Sequence, residues 1–145
     1  MTARDAGVKR LMFAASSYGY GNRPVLPRVE TQEPRLLLPF ALTRFAGELY
    51  CRISTRVDGL EKVALCYFNV FGPRQNPDSP YTGAFSLFFA AYHRGAVPRI
   101  CDDGEQSWHF VCVGNVVDAT LRACTAPGTG GQLMNVGTGE RRTLN

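Results

Sequence analysis

Long apolar runs are missing from this chain, and with them the simplest route into a membrane. No stretch approaches the roughly 18 apolar residues that a spanning helix needs. Lysine is scarce: Lys9 and Lys62 are the only two, so the net charge of +4 rests on arginines scattered over 145 residues rather than on a basic block. A nucleic-acid surface needs a clustered basic stripe, commonly with exposed aromatics for stacking, and the sequence shows neither. Cysteine pairs are lacking too. Cys51, Cys66, Cys101, Cys112 and Cys124 lie singly in apolar segments with no Cys-x-x-Cys, which argues against a disulfide framework or a zinc site and for buried thiols in a reducing cytoplasm. The apolar run at 11–15 is too short, and wrongly followed, for a signal peptide. No Gly-x-x-Gly-x-x-Gly turn occurs anywhere. The chain therefore lacks the loop that seats a dinucleotide pyrophosphate on a helix N-terminus.

What is present alternates between strand and helix patterns, as expected of an α/β fold with a mostly parallel sheet. Residues 8–15 read as a buried strand ending at Ser16 and Ser17, and the Gly- and Pro-rich stretch 18–39 as a long surface loop, a length usually reserved for function. Pro39 suits the first turn of a helix, while Leu38 before it supplies no capping oxygen. Leu42, Phe45, Ala46, Leu49 and Ile53 then recur at helical spacing as the expected core face, with Phe40 and Arg44 sharing another face toward a cleft. A strand over 62–71 stopped by Gly72-Pro73, a loop at 75–80, a helix over 82–94 closed by Gly95 and a short strand over 98–101 follow. After a turn at 102–105 come a strand over 109–113, a helix capped by Asn115 and running to about 125, and a last strand over 133–136. The phenylalanines between 85 and 89 read as core. His93 reads as a solvent-facing helix residue and His109 as a strand residue, neither as a metal ligand.

Several landmarks together carry a family resemblance. They are Ala15-Ser16-Ser17 leading to Tyr20-Gly21, the segment from Pro39 to Arg44, the run Tyr67-Phe68-Asn69-Val70-Phe71-Gly72-Pro73-Arg74-Gln75, the turn Asp103-Gly104-Glu105-Gln106, and Asn135-Val136-Gly137. In order and spacing the chain resembles the NAD-dependent nucleotide-sugar epimerases and dehydratases of the extended short-chain dehydrogenase/reductase group, in particular the UDP-N-acetylglucosamine 4-epimerase type. The resemblance implies the C-terminal half of a Rossmann-type parallel sheet with part of a small substrate-binding lobe. Residues 1–75 and 114–145 would be Rossmann-derived and 76–113 lobe elements of one incomplete domain. The roughly hundred residues bearing the glycine-rich turn would precede Met1. The loop at 75–81 looks more like the N-acetylhexosamine branch than the hexose branch.

The family reaction is a 4-epimerisation of a UDP-hexose or UDP-N-acetylhexosamine by transient hydride transfer to NAD, the cofactor doing the difficult chemistry. Family members use a tyrosine base, a lysine four residues later and a strand serine. Here the serine position is Ser16, with Ser17 beside it, but the tyrosine position is Phe40 and the lysine position is Arg44. Both serines equally suit a strand end with local backbone bonds. The resemblance also implies that Arg44, Tyr67 and Phe68 lie along the cofactor. Asn69 would touch the substrate diphosphate or merely cap a turn; Gly83 and Ala84 would face the sugar nucleotide or simply pack. Trp108-His109 stands where an arginine-aspartate pair is usual, so Trp108 reads as a lid or packing aromatic at the substrate.

Two functions follow from this. One is an epimerase-like protein whose turnover is strongly impaired, its partners a UDP-sugar, a second copy of itself packed on the helix from Pro39, or a complementing N-terminal half. The other is a non-catalytic binding or subunit-interaction module.

Overall fold

The computed structural model describes residues 2–79, 83–100, 103–105 and 107–143. Its centre is Glu61–Tyr67 (β2), where the continuous apolar stretch Val63, Ala64, Leu65 and Cys66 is buried on both faces. β2 pairs in parallel with Arg10–Ser16 (β1) on one side and Leu133–Val136 (β5) on the other, with Met12 opposite Val63 and Cys66 opposite Asn135. Successive strand residues point to opposite faces, so β2 divides its side chains between two layers. Val63 and Leu65 pack with Ala123 of the helix Val113–Thr125 (α3), while Ala64 and Cys66 pack with Ala15 and Tyr20 on the other face. The 20-residue helix Pro39–Asp58 (α1) covers that second face.

The expectation of which α1 face would be inward is corrected. Of the expected face Phe45 and Leu49 are half-buried, Phe45 beside Cys66 in a small inner cavity, but Leu42 and Ile53 are more than half exposed and Ala46 is exposed, whereas Ala41, Cys51 and Ser54 are buried. The inward face is built of small residues. At Gly47 a Cβ would collide with the ring of Phe13 in β1, so the helix lies closer to the sheet than any side chain there would permit. Ser54 and Thr55 donate their hydroxyls to the carbonyls of Tyr50 and Cys51, at 2.6 and 2.8 Å, which makes these hydroxyls tolerable inside.

Other expectations shift as well. The strand expected over 62–71 breaks at Phe68: β2 ends at Tyr67, and Asn69–Phe71 (β3) leaves to pair with Phe110–Cys112 (β4) in a separate two-stranded sheet. Asn115 caps nothing, since α3 already begins at Val113 behind Cys112. The helix Ala84–His93 (α2) forms and His93 is exposed at its end, but Phe85 and Phe89 are not core. Phe85 instead leans on Phe71 and Phe110, at ring separations of 4.2 and 5.9 Å. Residues 98–100 form no strand, and Cys101, like Thr82, Asp102 and Gln106, lies outside the described residues. Cys51 and Cys66 are buried as expected; Cys124 is exposed.

Charges tie the far end of the sheet. Arg10 donates to Glu61 at 2.8 Å and to the carbonyls of Ala123 and Ala126 where α3 ends, placing a cation at a helix C-terminus. Lys62, buried at 5 % exposure, is held by both carboxylate oxygens of Asp58, at 2.6 and 2.8 Å. No described helix is long and apolar enough to cross a membrane.

Candidate functional site

Several of the expected site residues lie at the opposite end, where β1 and β2 finish and the two sheets part. β1 runs into a 3-10 turn over Ser17–Tyr20, and the Ser16 hydroxyl accepts the N–H of Tyr18 at 3.4 Å, so the turn is anchored on the serine. Two phenols leave this turn in opposite senses. Tyr20 is buried; it donates to Oδ1 of Asn135 at 2.7 Å and stacks on Phe68, and burial pushes its pKa well above the ordinary tyrosine value. Tyr18 is half exposed and turns outward.

The outward side is a cleft of about 380 Å³, lined by Ser17, Tyr18, Leu38, Asn69 and Trp108 among others. Asn69 opens β3, its N–H and its Nδ2 both bonded to the carbonyl of His109, at 3.0 and 3.2 Å. Asn69 lines the cleft, and its amide oxygen accepts no hydrogen bond among the described residues. Trp108 is set by a pair of backbone bonds with Arg142 and stacks on Phe110, with its indole N–H buried and without a partner among the described residues. Neighbouring His109 also keeps an unpartnered Nε2, tilted against Phe68 at 5.5 Å. Unpaired buried polar atoms are uncommon, and a bound water or ligand is one way in which such atoms are satisfied.

Phe40 and Arg44 stand one helical turn apart at the start of α1, beside the cleft. The Phe40 ring meets Tyr18 edge-on at 5.9 Å. Arg44 lies over the same ring, its guanidinium carbon 5.1 Å from the centroid, and donates to the carbonyl of Ala14 at 3.3 Å. Phenylalanine has no proton to exchange, and a guanidinium committed to a ring and a carbonyl does not act as a compact ammonium.

The other expected residues are dispersed. Ser16 faces a small cavity with Tyr20, Glu48 and Cys66 rather than the cleft. The thiol of Cys66 is pushed up to about 12 by burial and is chemically quiet there. Tyr67 points to the α3 side of the sheet, its hydroxyl 2.9 Å from that of Thr120. Phe68 lies between Tyr20 and His109, with Gly137 against its ring. Gly83 sits just before α2 and Ala84 begins it, neither lining the cleft. The described residues therefore do not fit a complete NAD site. The phenol of Tyr67 and the guanidinium of Arg44 are already engaged, and the sequence offers no glycine-rich cradle for a pyrophosphate. Among the cleft residues not singled out from the sequence are Tyr18, Asn22 and Leu37, and the only signal for Tyr18 was a phenol two residues after Ser16.

Comparison with known proteins agrees with the fold. The model of the NAD dependent epimerase/dehydratase family matches residues 1–137. A UDP-glucose 4-epimerase of Mycolicibacterium smegmatis is 36% identical over 138 residues, covering 94% of this chain and 44% of its own. Among solved structures, the UDP-N-acetylglucosamine 4-epimerase of Methanobrevibacter ruminantium, in complex with UDP-N-acetylmuramic acid, superposes with a TM-score of 0.93 at 35% identity. That match covers 99% of this chain and 46% of the enzyme. The UDP-glucose 4-epimerase of Thermus thermophilus, solved with NAD, gives 0.82 at 33% identity over 98% of this chain and 47% of its own. The fold is thus part of an epimerase's Rossmann-type α/β fold, and the chain spans about half the length of the relatives it matches.

Proposed function

The chain belongs to the NAD dependent epimerase/dehydratase family, and from that premise we propose that it is a nucleotide-sugar 4-epimerase-like protein that holds a UDP-sugar in the Tyr18, Asn69 and Trp108 cleft but is strongly impaired in turnover. The observation that carries this reading is the gathering of Ser17, Asn69 and Trp108 round one cleft whose flank bears Phe40 and Arg44. A UDP-N-acetylhexosamine suits it best, on the strength of the sequence of the loop at 75–81 and of the relative solved in complex with UDP-N-acetylmuramic acid. In this reading NAD belongs to the reaction but needs residues that this chain does not supply, and 76–113 serve as the substrate lobe of a single domain.

The test is a reversion. With this chain joined to the dinucleotide-binding part of a relative, Phe40→Tyr with Arg44→Lys raises epimerisation of UDP-N-acetylglucosamine by about a hundredfold or more, the usual worth of a general base. No gain from the double change overturns the placement of the family's base at position 40.

A second reading has its own observation. Leu42, Tyr50, Ile53 and Val57 form an exposed apolar stripe along α1, each at least half exposed. A stripe of this kind marks a contact surface, and here it supports a binding or subunit-interaction role in which α1 packs against a second copy.

A further inference from the structure

We propose that Tyr18 makes the hydrogen bond to the hexose of the bound sugar nucleotide, supplying from the β1 turn the phenol that Phe40 lacks. The inference rests on the sugar-nucleotide reading of the cleft and adds to it a specific residue.

Three observations converge on Tyr18. First, among the described residues it is the one tyrosine that lines the cleft, where it shares walls with Ser17, Asn69 and Trp108. Second, its ring stands edge-on to Phe40, 5.9 Å between centroids, so it occupies the space next to the side chain that has lost its hydroxyl. Third, its hydroxyl makes no hydrogen bond within the described residues, while its backbone is fixed by the Ser16 hydroxyl. The contrast with Tyr20 is direct. Tyr20, two residues on, has its phenol buried and committed to Asn135. Tyr18 thus combines a placed backbone with an uncommitted donor and acceptor, the combination a polyhydroxylated ligand requires.

The ring adds a second kind of contact. A hexose presents an apolar face of C–H groups between its hydroxyls, and an aromatic body with a polar tip matches both. The edge-on packing with Phe40 restrains the ring without closing the cleft over it. Because Phe40 is itself pinned beneath Arg44, 5.1 Å away, the pair of rings is braced from the α1 side.

Trp108 is the only tryptophan of the chain and lies in the same cleft, so its fluorescence reads occupancy. The chain and its Tyr18→Phe variant are titrated with UDP-N-acetylglucosamine and, separately, with UDP. The variant binds UDP-N-acetylglucosamine about three- to tenfold more weakly, the worth of one hydrogen bond, and binds UDP as the parent does. Equal affinity of parent and variant for UDP-N-acetylglucosamine overturns the role of Tyr18 and leaves the sugar-nucleotide reading intact. An equal loss for UDP and for UDP-N-acetylglucosamine also overturns it, because the ring then serves the nucleotide or the packing and not the sugar. No response of Trp108 to either ligand in the parent overturns the reading of the cleft and this inference with it.

Discussion

Glu48 is a half-buried carboxylate beside Cys66 and Phe45, one turn from Arg52 on α1. Burial holds its pKa above the usual glutamate range, and Arg52 pulls more weakly the other way. A carboxyl whose folded pKa is raised destabilises the fold once ionised. The penalty is absent below the unfolded value of about 4.3 and complete above the folded one, so stability falls as pH rises through that window. Glu48→Gln therefore melts higher than the parent at neutral pH, and the two melting curves converge at about pH 4. Melting temperature against pH checks this; parallel curves at every pH contradict it. Asp58 runs the other way. Its hydrogen bond from Lys62 lowers its pKa, so its contribution is present above the unfolded pKa and lost as acid protonates it through the folded one.

At the scale of elements, α1 shows what was and was not legible in the sequence. Pro39 announced the helix start, so the existence of α1 followed from local chemistry; its end, at Gly59 in the left-handed conformation, φ 73°, was not read from the sequence. Nor was the inward face. Periodicity of 3.6 residues marks a stripe without saying what the stripe meets, and α1 carries two: large residues at Leu42, Ile53 and Val57, small ones at Ala41, Gly47, Cys51 and Ser54. Close approach to Phe13 selected the small one. The break at Phe68 was hidden for a related reason, since an apolar run looks the same whether it stays in one sheet or crosses to another. Asn69 and Trp108 were recognisable through the family resemblance, and the cleft brings them together; Tyr18 was not, because it matches no family landmark.

Two predictions belong to this helix. Leu38 has extended φ and ψ at the N-cap and offers no side-chain acceptor, so the first N–H groups of α1 go uncapped. Leu38→Ser adds about 1 kcal/mol to the stability of the chain, read by urea unfolding at unchanged m-value; a loss would show that packing of Leu38 at the cleft edge outweighs the cap. The large stripe is the other. Ile53→Glu with Val57→Glu converts a self-associated chain to monomer in sedimentation, while a mass unchanged by the two charges removes α1 as the contact surface.

At the scale of the whole molecule, the two ends of the sheet divide the work. The Arg10, Glu61 and Lys62, Asp58 pairs close one end, and the other opens into a cleft walled by the β1 turn, the start of β3 and Trp108, two residues before β4. Ligands of α/β sheets bind outside the carboxyl ends of the strands, and the Tyr18, Asn69 and Trp108 cleft has that position. β1 pairs on one side only among the described residues, and much apolar surface on α2 and α3 is exposed, including Phe89, Val117 and Leu121. Under the proposed subunit-interaction role a partner covers that surface, while the cleft is formed within this chain.

The decisive measurement is the thermal unfolding of the 145-residue chain with UDP-N-acetylglucosamine, and in parallel with NAD, since a ligand that binds only the folded state raises the transition. At a hundredfold excess over its dissociation constant the sugar nucleotide contributes about 2.7 kcal/mol, which raises the midpoint by roughly 5 °C or more, while NAD leaves it in place. A transition unmoved by UDP-N-acetylglucosamine contradicts the account at its centre, for the cleft would then not be a sugar-nucleotide site in this chain.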